Sequence, residues 1–276
     1  MLPNMKFYIV SIVSIFAALG IGIYIGFSMD SQDFMNQQKE SLTEMLEKQF
    51  DVIMNENKDL KTTVDTLQKE NEYKDKYIES SYDFIIDNRL KDFNIAIIET
   101  NSDYITSGIG KELELAGAKV TSLTTIEYSI IKEENFQEII SEVANALING
   151  TSENELENLK KEGIINILGN YNEPIDYLII CGGSFEDQTK RINQVDKLII
   201  NLGEKHNIPV LGVEKSNVEF SYIPGYKNLG ISTVDNVDTT IGKVAMILTM
   251  EGIAGDYGIK PTAKSLIPNI KKIIQE

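Results

Sequence analysis

The stretch IDYLIICGG (175–183) decides the fold class, because a continuous apolar run that stops at two glycines reads as a strand buried on both faces. Working outward from it, FNIAIIE (93–99), AKVTSLTTI (118–126) and IPVLGVE (208–214) have the same short, β-branched character. The stretches between them carry helical spacing: 109–116 ending at Gly117, 133–149, 153–162 after the Asn149-Gly150 break, and 187–204. In the last of these Ile192, Val195, Leu198, Ile199 and Leu202 share an inner face. A final helix covers about 239–252, capped by Asp238 or Thr239. Apolar strands alternating with amphipathic helices predict an α/β domain over 91–276 with a mostly parallel sheet of the Rossmann-like or flavodoxin-like kind.

In such sheets a ligand lies at the carboxyl ends of the strands. That rule nominates Glu99, Thr100 and Asn101, then Gly182, Gly183 and Ser184, then Glu214 as a small-ligand site. The two glycines equally suit a tight turn between strand and helix. Neither dinucleotide nor P-loop phosphate-binding glycine pattern is present: Gly108-Ile109-Gly110 comes too late after the first strand and has no third glycine. Catalysis has little to work with. Cys181 sits on an apolar strand and reads as a small buried hydrophobe. His206, the single histidine, reads as a helix-end cap. With no nucleophile–base pair at an informative spacing, the chain is expected not to be an enzyme.

Upstream the character changes twice. FYIVSIVSIFAALGIGIYIGFSM (7–29) contains no charged side chain, and its length as a helix, about 34 Å, exceeds a bilayer core of roughly 30 Å. A cleaved signal peptide would have a shorter apolar region, so an uncleaved transmembrane anchor over 1–29 is expected. Lys6 precedes the span and Asp30 and Asp33 follow it, which places the N-terminus in the cytoplasm and residues 30–276 outside. Ser14, Ala18, Gly22 and Gly26 recur every four residues, a spacing that lets two helices approach closely.

Residues 30–90 form the middle piece, with neither Pro nor Gly to interrupt a helix. Phe50, Asn57, Val64, Asn71 and Ile78 form one line of a heptad seam, and Leu46, Ile53, Leu60, Leu67 and Lys74 the other. Paired asparagines at equivalent seam positions favour a parallel, in-register homodimer. Met35, Leu42 and Met45 fall out of that register, which suggests a stutter. Over residues 30–80 a helix rises about 75 Å, so a coiled-coil stalk is expected; a helix folded back on the C-terminal domain is the alternative.

Charge excludes one class of partner. The net −16 divides into a single cation before the span, −7 over 30–92 and −10 over 93–276. Arg89 and Arg191 are the only arginines, so nucleic acid is not an expected ligand. One cysteine excludes an internal disulfide and a cysteine zinc site. For copper the soft donors are Cys181, His206 and scattered methionines; Met246 and Met250 are four apart, as core packing requires, and no copper cage is legible.

Two stretches carry a family likeness. FYIVSIVSIFAALGIGIYIG (7–26) and VDNVDTTIGKVAMILTMEGIAGDYGIKPTAKSLIP (234–268) resemble the mycobacterial copper transport protein B family. The Gly-Lys-Val-Ala helix, the Gly-x-Tyr-Gly turn at 255–258 and the terminal Leu-Ile-Pro are its most specific points. The resemblance implies a membrane-anchored protein with a coiled coil and an α/β domain, involved in copper export or homeostasis at the cell envelope. It also implies an envelope partner, some relatives resembling parts of a division-associated membrane complex with a thiamine pyrophosphokinase-like protein. It supplies no residues as copper ligands, and copper is implied by the resemblance only. A single apolar helix cannot form a pore without oligomers. The leading expectation is therefore a non-enzymatic scaffold, the alternatives being a ligand-sensing membrane protein or one component of an oligomeric copper channel.

Overall fold

The computed structural model describes residues 5–106, 108–150 and 156–269, and the side chains of all of these except 30–33. The chain divides into two units, Met1–Tyr73 and Lys74–Glu276. The first is helix throughout its described length, as part of α1 (Met5–Ile86). Every described side chain up to Tyr73 is exposed, apolar ones included: Phe50 is 67% and Leu60 66% accessible. Among the described residues α1 is the one helix long and apolar enough to cross a bilayer. Asn57 donates its amide back to the Ile53 carbonyl at 2.9 Å. The side chains of Asp30 and Asp33, on which the expected orientation leans, lie outside the described residues.

The second unit is a seven-stranded sheet of order β3-β2-β1-β4-β5-β6-β7. Its strands are β1 (Asn94–Glu99), β2 (Lys119–Ile126), β3 (Ile165–Gly169), β4 (Tyr177–Cys181), β5 (Val210–Val213), β6 (Ser232–Val234) and β7 (Asp256–Tyr257). All neighbours are parallel except β2 and β3. The direction of winding reverses between β1 and β4, so the carboxyl ends of these two strands flank the switch point.

Alternation along the central strands sorts the core into two layers. Ile95 and Ile97 of β1, with Tyr177, Ile179 and Cys181 of β4, face α2 (Gly108–Leu115) and α8 (Thr240–Met250). Ala96, Ile98, Leu178 and Ile180 face α3 (Phe136–Asn149) and α6 (Lys197–Lys205) on the other side. Tyr82, Ile86 and Leu90, at and after the end of α1, join the first layer. There Tyr82 donates to Glu112 at 2.6 Å, and Lys243 of α8 donates to the same carboxylate at 2.7 Å. Burial pushes the Glu112 carboxyl up, but the hydrogen bonds from Lys243 and Tyr82 outweigh it and hold the group below the usual carboxylate range.

The expected strands and helices are present with boundaries moved by a few residues. Of the helix expected over 153–162, residues 153–155 lie outside the described residues, and α4 occupies Glu157–Lys161. A 3₁₀ turn, Tyr128–Lys132, precedes α3. Three strands and α7 (Ile223–Asn228) were not expected from the sequence; β3, β6 and β7 have two to five residues each, too few to show a period. The helix expected over 187–204 is α5 (Thr189–Arg191), a π-helical turn (Ile192–Asp196) and α6 in succession. Thr239 is the cap of α8, accepting from the Gly242 amide at 3.0 Å.

Candidate functional site

The nominated residues at the ends of β1 and β4 meet at the switch point. The Thr100 amide donates to the Cys181 carbonyl at 3.2 Å, and Asn101 donates to the Gly183 carbonyl at 3.0 Å. Ser184 exchanges two backbone hydrogen bonds with Phe220, at 3.0 and 2.8 Å, and its hydroxyl donates to the Glu186 carbonyl at 2.6 Å. The Gly182 amide donates to the Val213 carbonyl, and Glu214 follows directly on β5.

Both carboxylates in the set are fully or almost fully buried and hold loops. Glu99 accepts from the Thr106 amide at 2.6 Å, from the Thr106 hydroxyl at 2.9 Å and from the Thr125 hydroxyl at 2.8 Å. Glu214 accepts from the Ser221 hydroxyl, the Tyr222 amide at 2.9 Å and the Lys260 ammonium. Each carboxylate thereby folds a loop back over the end of its own strand.

The two glycines do permit a close approach, and the approaching groups are side chains of this chain. A Cβ on Gly182 would lie 2.6 Å from the Tyr222 Cβ and 2.6 Å from the Tyr226 hydroxyl. One on Gly183 would meet Val218 Cγ1 at 2.6 Å, and Gly183 also has φ +97°, which favours glycine. Gly212 leaves room for the Tyr226 ring in the same way. Tyr222 and Tyr226 pack edge to face at 6.0 Å, so the crevice at the switch point is occupied by an aromatic wedge.

Beneath that wedge lies a buried polar group of residues that sequence reasoning did not select. Arg191 is fully buried, donates to the Thr100 and Ile126 carbonyls, and stacks 4.9 Å from the Tyr128 ring centroid. Asp196, five residues on across the π-helical turn, accepts from Tyr226 at 2.8 Å and from Thr100 at 3.3 Å. Its other oxygen, and one terminal nitrogen of Arg191, have no partner. Burial pushes the Asp196 carboxyl up to about 7, against the pull of the Tyr226 hydrogen bond and the Arg191 charge. Tyr222 is pushed up to about 12, chiefly by burial. The signal was present in the sequence: Arg191 is one of two arginines, and Asp196 falls on the inner helix face between Val195 and Ile199.

The donors that could serve a copper cargo do not converge. Among the described residues no three His, Cys, Asp or Glu side chains form a metal-holding group. Cys181 is sealed in the core with its thiol pushed up by burial, and Met246 and Met250 are core residues of α8. His206 closes α6, its amide bonded to the Leu202 and Gly203 carbonyls.

The residues of the 234–268 stretch act as fasteners. Asp235 is buried and accepts from the Ile259 and Lys260 amides at 2.7 and 3.0 Å, which holds the loop after β7. Gly258, with φ +134°, has no room for a side chain, because a Cβ would lie 2.0 Å from Asp235 Oδ1. Asp256 pairs with Lys227 and Lys264, both at 3.2 Å. Gly242 lets the start of α8 pass the Asn236 carbonyl, which would be 1.9 Å from a Cβ.

No curated protein matches the chain. A family model described as copper transport outer membrane protein, MctB, matches residues 2–158 and 144–268, taking in both the apolar helix and the fastened C-terminal stretch. The chain belongs to the MctB family.

Proposed function

We propose that this chain is a single-pass, membrane-anchored protein of the cell envelope that serves copper homeostasis as a dimeric scaffold rather than as an enzyme. The observation that carries the reading is the family match along almost the whole chain, joined to an apolar helix of bilayer length at its start. The N-terminus lies in the cytoplasm, and the α/β domain is presented on the other side.

Support for the dimer comes from the uncovered seam of α1. Leu46, Phe50, Ile53, Leu60, Val64 and Leu67 are all about half exposed or more, and each gains roughly 1.5–3 kcal/mol when fully buried. A second copy in parallel register covers them and brings Asn57 and Asn71 opposite their equivalents. Ser14, Ala18, Gly22 and Gly26 allow the two spans to pack closely within the bilayer. The scattered soft donors favour a copper role exerted through assembly with an envelope partner over one exerted through a resident ion.

Two measurements test this. Asn57→Cys and Asn71→Cys chains in membranes are expected to cross-link to themselves at each position; absence of in-register linkage at both overturns the parallel dimer. Cells lacking the protein are expected to show altered copper tolerance, restored by the intact chain but not by one lacking residues 30–73. Full restoration by the shortened chain overturns the scaffold.

A further inference from the structure

A second cleft opens on the opposite side of the sheet from the tyrosine wedge, between the starts of α2 and α8. It encloses about 220 Å³. Its apolar wall is Ile105, Ile109 and Val237, and its cations are Lys215 and Lys243. We propose that this cleft binds a small organic carboxylate, with the acid on the lysines and a short alkyl body on the apolar wall. The inference uses the α/β domain alone and is independent of the dimer.

Lys243 is paired with Glu112 at 2.7 Å, whereas Lys215 forms no ion pair among the described residues and is the free cation of the cleft. The one acid in the lining, Asp238, keeps its charge and is held by Ser216, its two oxygens accepting from the Ser216 amide and hydroxyl, both at 2.7 Å. An unpaired ammonium in a partly apolar cleft attracts an anion more strongly than one in open water, and the amino ends of α2 and α8 add to the positive potential. Asp238 opposes a doubly charged ligand such as phosphate, which also has nothing to place against the isoleucines.

The lining is anchored at Thr106, whose amide and hydroxyl both donate to the Glu99 carboxylate. Gly108, at the first turn of α2, leaves open space, since a Cβ there meets nothing within 4 Å. A large side chain at that position therefore fills the cleft without backbone strain.

The test uses the full chain in lipid nanodiscs, with empty nanodiscs as the blank, titrated with pentanoate, pentylammonium and inorganic phosphate and read by saturation-transfer NMR. Saturable binding of pentanoate is expected, with pentylammonium and phosphate weaker. Lys215→Gln should weaken pentanoate binding by about tenfold, the loss of one charge-assisted contact. Gly108→Leu should abolish it, and both variants should keep the melting temperature of the parent. No saturable pentanoate binding, equal binding of pentylammonium, or undiminished binding by either variant overturns the proposal. Phosphate binding more tightly than pentanoate overturns the assignment to carboxylates.

Discussion

Asp196 makes the stability of the α/β domain depend on pH in a direction opposite to that of an ordinary surface carboxylate. Its ordinary pKa of 3.8 is pushed up to about 7 by burial beneath Tyr226 and Thr100. The folded state therefore holds the proton more tightly than the unfolded chain does. The contribution is fully present below pH 3.8 and is lost as pH rises to about 7. At roughly 1.4 kcal/mol per tenfold, that loss comes to about 4 kcal/mol. Asp196→Asn keeps the shape and an acceptor for Tyr226 but cannot ionise. The difference in unfolding free energy, Asn variant minus parent, should thus rise by about 4 kcal/mol between pH 4 and pH 8. Urea titrations of both full chains, followed by near-ultraviolet circular dichroism of the packed Tyr171, Tyr177, Tyr222 and Tyr226, measure it. Taking the difference removes Glu112 and Asp256, whose lowered pKa values give stability that is lost on acidification. A difference that stays level across this range would refute the reasoning.

Gly242→Ala places a methyl group against the Asn236 carbonyl and should cost about 3 kcal/mol, seen as a lower melting temperature and loss of the Thr239 cap. Cys181 should resist a disulfide-exchange reagent in the folded chain and react at the rate of unfolding, because burial both shields the thiol and suppresses the thiolate. Rapid labelling under native conditions would show that the β4 end is open.

The sheet's central strands were legible because β1, β4 and β5 are apolar on both faces, so composition alone marks them. The peripheral strands were not: β6 and β7 exist through pairing with neighbours, with only three and two residues of their own. The ends of β1 and β4 are neighbours in space, as strand order at a switch point dictates, yet what fills the crevice beside Gly182 and Gly183 was hidden. Val218, Tyr222 and Tyr226 come from a segment some forty residues later, and no local period connects them to the glycines. Arg191 and Asp196 escaped for a related reason. Helical spacing already puts both on the inner face, but their partners, the Thr100 and Ile126 carbonyls and the Tyr226 hydroxyl, come from distant parts of the chain.

The hold of Lys260 on Glu214 has a consequence for how the domain is made. A chain emerging from its amino terminus delivers β5 and the buried Glu214 well before the lysine that neutralises it, 46 residues later. Until then the carboxylate lacks its cation, and removing one member of a buried pair is costly. Asp235 waits in the same way for the amides of Ile259 and Lys260. Completion of the fold is thus tied to arrival of Ile259 and Lys260. A copy cut short before residue 259 leaves Glu214 without its cation and Asp235 without two donor amides, so it is less stable and more open to proteolysis than the finished domain.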